Sequence, residues 1–146
     1  VSTLSDCLHE HPPCHTAMPS LSTWGNKGYL EVWLNGANDW VYRHLHWAEE
    51  RMVALAAKHR EEARGPLRAA LDQAARELML AQSSDWAFLM TARTATPYAE
   101  KRTRDHLNRF AELYHMIESA RVNAERVRQF QELSPIFAEM DFRVFG

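Results

Sequence analysis

Several features are scarce or missing in this chain of 146 residues, and each absence excludes a class of protein. No apolar run approaches the roughly 20 residues that a transmembrane helix needs, so no membrane-spanning segment is expected. The 17 lysines and arginines are outnumbered by 19 aspartates and glutamates. A protein that binds nucleic acid or an anionic membrane usually carries a basic excess instead. Because no basic leader and apolar stretch of a secretory signal is seen either, we predict a cytoplasmic protein whose partners are neither nucleic acid nor membrane.

Cysteine is also scarce, and the two thiols, Cys7 and Cys14, lie in a short polar lead segment. A disulfide between them would close only a small loop, and nothing else indicates secretion, so we expect reduced thiols. With His9, His11 and His15 they form a group that resembles a zinc site, but the spacing fits no standard Cys/His pattern. Glycine-rich phosphate loops and nucleophile elbows are missing as well. We therefore predict no metal and no cofactor.

Strand-like alternation is absent, and from residue 36 onward the apolar residues follow the 3.6-residue period of α-helices. Asn38 or Asp39 is a candidate N-cap for a first long helix over residues 37–64. The apolar stripe of this helix comprises Val41, Leu45, Ala48, Met52, Leu55 and Ala56. Gly65-Pro66 then predicts the end of this helix and the start of a second one over residues 66–82.

Three further breaks divide the rest of the chain into helices. Ser84 is a candidate N-cap for a short helix, and Thr96-Pro97 predicts the start of a long one that runs to about residue 121. A last helix from about Asn123 is stopped by Ser134-Pro135. The long helix also carries three arginines that lie among acidic residues, Arg102, Arg104 and Arg109. We interpret them as an ordinary charged surface.

The first 35 residues have a different composition, rich in serine, threonine, proline and glycine. Thr3 with Asp6 resembles the capping box of a short helix, which Pro12-Pro13 would end. We therefore predict an all-α fold, a bundle of four to five helices over residues 36–146. Residues 1–35 form a lead that holds a short N-terminal helix and a Trp/Gly-rich loop, within a single domain overall.

Tryptophan is abundant, with five in the chain and four of them within 24 residues. Core packing is the ordinary explanation, because an aromatic side chain buries roughly 150–250 Å², and we favour it for Trp40 and Trp47. Trp24 differs because it precedes a Gly-x-x-Gly loop, where glycines allow a ligand to approach closely. A flat indole there is a natural platform for the apolar face of a sugar ring, although exposed aromatic residues also serve protein interfaces.

Several segments resemble one known family. They are Ser22–Tyr29, Glu31–Gly36, Asn38–Trp40 and Leu80–Phe88, and more loosely Tyr98–Phe110. Together they resemble the helical C-terminal domain of glycoside hydrolase family 57 branching enzymes, which form branches in glycogen-like glucans. The resemblance covers the chain from about residue 20 to its end. The Trp-Gly and Ser-Ser-Asp-Trp segments are specific, whereas the helices between them are not.

The resemblance implies a role that depends on a second domain. In the family, a seven-stranded (β/α) barrel carries a nucleophilic Glu and an acid/base Asp, and the helical domain packs against it and lines the cleft. The implied reaction cuts an α-1,4-glucan and transfers the fragment to a 6-hydroxyl group with retention, which needs two carboxyl groups about 5–5.5 Å apart. By the matching motif, Trp24 and Trp33 fall on the cleft tryptophans. The residues that we predict to bind substrate are Trp24, Trp33, Trp40, Asp85 and Trp86.

This chain departs from the family because the barrel and both catalytic carboxylates are absent from it. Asp39 and Asp85 each stand beside a tryptophan, but an aspartate at a helix start usually serves as a cap or complements the helix dipole. We therefore predict no catalytic residue and leave open whether the chain acts as an enzyme by itself. The expected partners are an α-1,4-glucan and the catalytic barrel of the same enzyme. The alternative is a free-standing helical module that binds a protein or a glycan without catalysis.

Overall fold

The structure is a computed structural model that describes residues 2–13, 15–61 and 63–146. The chain divides into two compact units, Val1–Leu30 and Glu31–Gly146. The described residues form six α-helices: α1 Leu4–Glu10, α2 Asp39–His59, α3 Gly65–Ala81, α4 Ser84–Ala92, α5 Thr96–Glu118 and α6 Ala124–Leu133. No strand occurs in the described residues. The prediction of an all-α bundle of four to five helices after a short N-terminal one is confirmed.

The first unit contains α1, whose N-terminus is closed by the predicted capping box. The Thr3 N–H donates to Asp6 Oδ2 at 3.1 Å, and the Asp6 N–H donates to Thr3 Oγ1 at 3.2 Å. The helix ends at Glu10, before the two prolines, and none of its residues is buried. A helix of 7 residues with no buried side chain gains little from packing within this unit.

The core of the second unit lies where α2, α3, α5 and α6 pack together. The six stripe residues predicted for α2 are its six buried residues. The three largest fully buried side chains are Phe110 on α5, Phe130 on α6 and Phe142 in a final 3₁₀ turn, Phe142–Phe145. A second, smaller cluster around Met90 joins α4 to α2 and α5. This smaller cluster supports the candidate site.

Several helix starts and ends differ from the prediction. Asn38 directly precedes α2, but its side chain makes no cap bond because its oxygen accepts from the Asn35 N–H instead. Ser83 rather than Ser84 is the N-cap residue of α4, and its hydroxyl donates to the Asp85 carboxylate instead of capping the backbone. The helix α2 ends at His59, five residues before the predicted Arg64. Gly65 then begins α3 at φ +53°, a backbone conformation that favours glycine.

Candidate functional site

Two of the tryptophans singled out from the sequence, Trp33 and Trp86, line the same pocket of about 120 Å³. The rest of its wall comes from α2, from the end of α3 and from the start of α4: Val41, Tyr42, Leu45, Ala81, Gln82, Ser83, Ser84 and Ala87. Pockets that enclose a small-molecule ligand usually measure about 300–1,000 Å³. This pocket therefore has room for part of a sugar ring, with hydroxyl and amide groups beside two indoles.

A partly buried network of hydrogen bonds, centred on the fully buried Asn38, holds the turn that carries Trp33. The Asn38 amide donates to the Val32 carbonyl oxygen and to the Thr91 hydroxyl oxygen, both at 3.0 Å. The Asn38 side-chain oxygen accepts from the Asn35 N–H at 2.9 Å, and Asn38 has no exposed surface. Because buried polar groups are stabilised only when their hydrogen bonds are made, this network fixes residues 31–38 against α4.

Tyr42 on α2 adds a second attachment to the same turn. Its hydroxyl group donates a hydrogen bond to the Trp33 carbonyl oxygen. Burial raises the pKa of Tyr42 above its ordinary value, so the hydroxyl keeps its proton at neutral pH and remains a donor. The backbone of Trp33 is therefore held by α2, while its neighbours are held by α4.

Trp86, in the first turn of α4, is fixed by contacts on several sides. Its indole Nε1–H donates to the Leu80 carbonyl oxygen at 2.7 Å. The Tyr98 ring meets it in a T-shaped contact at 6.0 Å between centroids. The His106 ring is stacked with it at 6.4 Å with 26° between the planes. These contacts orient the indole whose remaining surface lines the pocket.

Trp24 lies in the first unit, on a tight loop closed by its own backbone. The Thr23 N–H donates to the Gly28 carbonyl oxygen at 2.8 Å, and the Gly28 N–H donates to that of Gly25 at 2.9 Å. Gly28 has φ +90°, which explains the glycine at this position. Trp24 is 79% exposed and Tyr29 64%. The loop thus displays two aromatic rings, and Tyr29 is a candidate that the sequence analysis does not single out.

Trp40 and Asp85 lie outside the pocket. The Arg104 guanidinium carbon is 4.2 Å from the centroid of the Trp40 ring, and the His44 ring meets Trp40 in a T-shaped contact. A cation over an aromatic face is an attractive pair, so one face of Trp40 is covered within the bundle. Asp85 is exposed in the first turn of α4, where a carboxylate complements the helix dipole. Substrate binding by the five named residues stays a prediction.

The sequence analysis misses a cluster of buried polar side chains between α3 and α5. Gln73, Glu77 and His106 are fully buried, and His106 Nδ1 lies 2.6 Å from Glu77 Oε2. Arg102 contacts His106 Nε2 at 3.0 Å, and Arg109 lies 3.8 Å from Glu77 Oε2. The interpretation of these two arginines as ordinary charged surface is therefore wrong. One feature of the sequence could have indicated this cluster. Gln73 and Glu77 are spaced i, i+4 and lie between the apolar residues of α3, so they share the face of the helix that is buried.

The described residues give no structural basis for a metal site or a membrane span. No group of three or more His, Cys, Asp and Glu side chains suited to a metal ion occurs in residues 2–13, 15–61 and 63–146. Within the same ranges, no helix is long and apolar enough to cross a membrane. Cys7 is an exposed free thiol, whereas Cys14, the other thiol predicted to be reduced, lies outside the described residues.

Comparison with known proteins places most of the chain in one family. Residues 44–145 match the family described as 1,4-alpha-glucan branching enzyme, C-terminal. The 1,4-alpha-glucan branching enzyme of Thermococcus kodakarensis is 31% identical over 133 residues, which make up 90% of this chain and 20% of that enzyme. This chain therefore spans only about a fifth of the length of that relative.

Solved structures share the fold of the chain over nearly all of its length. An alpha-amylase from Thermotoga maritima is 40% identical, with a TM-score of 0.79, and the match covers 98% of this chain and 26% of that one. A branching enzyme of glycoside hydrolase family 57 from Pyrococcus horikoshii is 30% identical, with a TM-score of 0.81, over 99% of this chain and 28% of that one. The Thermococcus kodakarensis enzyme, solved with glucose and additives, is 28% identical with a TM-score of 0.83, over 98% of this chain and 27% of that one.

Proposed function

The chain belongs to the C-terminal domain family of the glycoside hydrolase family 57 1,4-α-glucan branching enzymes, and we propose that it forms one wall of the glucan cleft of such an enzyme. In this proposal the substrate is an α-1,4-glucan, and the product carries new α-1,6 branches. The two carboxyl groups that cut and transfer the glucan belong to a catalytic barrel in the part of the enzyme outside this chain. The relatives extend far enough to hold such a barrel, because the chain covers only 20–28% of their lengths.

The observation that carries the proposal is the pocket shared by Trp33 and Trp86. A sugar ring has apolar C–H surface on its faces and hydroxyl groups around its edge, so it binds where aromatic faces and polar groups lie side by side. The indoles supply the first kind of surface, and Gln82, Ser83 and Ser84 supply the second. Trp24, 79% exposed on its loop in the first unit, offers a separate aromatic platform for a sugar ring.

The size of the pocket supports a wall rather than a complete binding site. The pocket of about 120 Å³ can hold only part of a ligand, whereas a pocket that encloses a whole small-molecule ligand measures about 300–1,000 Å³. We propose that the barrel supplies the opposite wall of the cleft. Glucan binding by this chain alone is then weak, and it strengthens when the barrel is present.

The test is a titration with maltoheptaose, followed by indole fluorescence, of the chain alone and mixed with the separately expressed barrel of the Thermococcus kodakarensis enzyme. A saturable change that is stronger with the barrel, and that Trp33→Ala or Trp86→Ala weakens, is expected. The matched control is Trp47→Phe, because Trp47 packs in the core against Phe110 and Tyr114 at 6.1 and 5.6 Å. Equal responses of the pocket variants and the control would overturn the proposal.

Activity of the same mixture separates branching from hydrolysis. The alpha-amylase of Thermotoga maritima, 40% identical, makes hydrolysis of α-glucans the second candidate function of the whole enzyme. Branching creates α-1,6 linkages without a large rise in reducing ends, whereas hydrolysis releases one reducing end for each bond that is cut. Analysis of amylose products by debranching and by reducing-end assay therefore assigns the reaction.

The alternative of a free-standing interaction module is not favoured. Residues 44–145 of this chain match a domain family that is found within larger enzymes. A location in the cytoplasm, where a glycogen-like substrate would be made, is part of the proposal. Fractionation of cells that express the natural enzyme tests it, and recovery of the enzyme outside the cytoplasmic fraction would contradict it.

A further inference from the structure

The pocket is backed by a buried polar pair, Glu77 on α3 and His106 on α5, that stability alone does not explain. Both side chains have no exposed surface, and His106 Nδ1 lies 2.6 Å from Glu77 Oε2. Removing ionisable groups from water costs several kcal/mol each, and well-packed apolar residues often replace such a pair without loss of stability. The pair therefore needs an explanation other than the energy of folding.

The hydrogen bonds of the pair fix the plane of the imidazole. Arg102 lies 3.0 Å from His106 Nε2, and because a guanidinium can only donate, Nε2 is the acceptor. Nδ1–H then donates to Glu77, whose other oxygen accepts from Gln73 at 2.7 Å. With both ring nitrogens bonded, the imidazole cannot turn without breaking a buried hydrogen bond.

The fixed imidazole lies against Trp86, the inner wall of the pocket. The two rings are stacked with 26° between their planes and 6.4 Å between their centroids. The bond from Trp86 Nε1–H to Leu80 anchors one edge of the indole, Tyr98 meets the ring in a T-shaped contact, and His106 is the residue stacked with it. An aromatic wall aids binding most when it is already ordered, since each side chain that is immobilised on binding costs about 0.5–1.5 kcal/mol.

We infer that His106, oriented by Glu77, is a positioning residue that holds the Trp86 indole ready for a glucan ring in the pocket. The orientation of the indole follows from the contacts alone, whereas the glucan as ligand depends on the proposed function. The experiment therefore needs one measurement with glucan and one without it.

Two double variants of the 146-residue chain form the comparison: Glu77→Leu with His106→Phe, and Glu77→Leu with His106→Leu. Both remove the polar pair, but only the first keeps a flat ring against Trp86. Gln73 and Arg109 keep other partners, the Phe130 carbonyl oxygen at 3.2 Å and the Ser134 hydroxyl at 3.4 Å. The folded state is checked by far-UV circular dichroism, and the Trp86 Nε1–H resonance, assigned with Trp86→Phe, reports the indole by NMR.

The Phe variant is expected to keep a sharp Trp86 resonance and a maltoheptaose Kd within about twofold of the parent chain. The Leu variant is expected to show a broadened or shifted resonance and binding weakened roughly two- to tenfold, the range that ordering one side chain would cost. An identical Trp86 resonance in the two folded variants would overturn the inference. If the parent chain binds no maltoheptaose even with the barrel, the proposed function fails, and the resonance still decides the positioning role.

A single variant keeps the inference testable where either double variant fails to fold. Glu77→Gln retains the shape of the side chain but replaces one of its two acceptor oxygens with an NH₂ group, which then opposes one of the two donors, Gln73 or His106. A shift of the Trp86 resonance is expected. An unchanged resonance in this variant would overturn the role of Glu77.

Discussion

Replacement of Asn38 is the sharpest test of how the turn with Trp33 is held. In Asn38→Ala, the Asn35 N–H loses its acceptor, which lies at 2.9 Å. The Val32 and Ala87 carbonyl oxygens also lose the Asn38 amide as a donor. The Thr91 hydroxyl still lies 2.6 and 3.0 Å from them, so at least one of the two keeps a hydrogen-bond donor. One unsatisfied, partly buried donor costs about 1–3 kcal/mol, and the deleted amide leaves a small cavity at the fully buried position 38. We expect the free energy of unfolding to fall by about 2–3 kcal/mol.

Two further variants at the same network give a ranked expectation. Thr91→Val removes the hydroxyl, but the Asn38 amide still donates to Val32 and Ala87 at 3.0 and 3.3 Å, so the cost is about 1 kcal/mol. Asn38→Asp keeps the acceptor for the Asn35 N–H, but it places a buried carboxylate against carbonyl oxygens that have lost the amide donor. This repulsion should lower the free energy of unfolding by at least about 3 kcal/mol. The predicted order of destabilisation is Thr91→Val, then Asn38→Ala, then Asn38→Asp.

Urea unfolding at pH 7, followed by circular dichroism at 222 nm, measures all three variants. The near-UV signal of the tryptophans should change at low urea in Asn38→Ala, because the turn with Trp33 loosens before the bundle unfolds. A cost below about 0.5 kcal/mol for Asn38→Ala, or one no greater than that of Thr91→Val, would refute the claim that Asn38 organises this turn.

Three other predictions concern the bundle as a support for the site. Phe142→Ala should cost about 3–5 kcal/mol, because the ring is fully buried in the main core, and a smaller loss in urea unfolding would contradict that packing. Asn123→Ala should cost about 1 kcal/mol, since its side chain accepts from the Arg126 N–H at 3.1 Å at the start of α6, and an unchanged urea midpoint would argue against this cap. Hydrogen bonds from Arg143, with the charge of Arg68, hold the pKa of Asp141 well below its usual range. The charged carboxylate therefore stabilises the fold above the usual pKa of about 3.9, and this stabilisation is lost as the pH falls further. Asp141→Asn should flatten that part of the curve of urea midpoint against pH, and an unaltered curve would reject the interaction.

The sequence predicts the elements whose signal is local. The stripe of α2 is correct at all six positions because one face of a long helix must be apolar to pack, and the period of that face is visible in the chain. The cap of α6 at Asn123 and its end before Ser134-Pro135 are equally local signals. The final 3₁₀ turn is too short to show a period. It depends on a bond from the Phe142 N–H to Asp72, 70 residues away in the sequence.

The candidate site shows the same division between local and distant information. The tryptophans stand out by residue type, but the partners that orient them do not. Asn38 reads as a cap because it precedes a helix, and only the fold reveals that its amide reaches Thr91 instead. From the sequence alone, Glu77 is interpreted as an ordinary exposed acidic residue of a helix. Its partner His106 lies 29 residues further along the chain, so nothing near Glu77 in the sequence identifies that partner. Polar residues in a helix are interpreted as exposed by default, and tertiary contacts override that default here.

The two walls of the pocket are supported by different elements in the same way. Trp33 is held through the buried side chain of Asn38, and Trp86 through the buried pair of Glu77 and His106. Asn38, Glu77 and His106, three of the buried polar residues of the second unit, thus belong to the two groups of contacts that support these tryptophans. A contact between a sugar and an indole is weak enough that an unordered ring would lose much of its benefit on binding. Replacement of Asn38, or loss of the flat ring at position 106, should therefore weaken the proposed glucan binding without removing any group that lines the pocket, which separates the support of the site from the site itself.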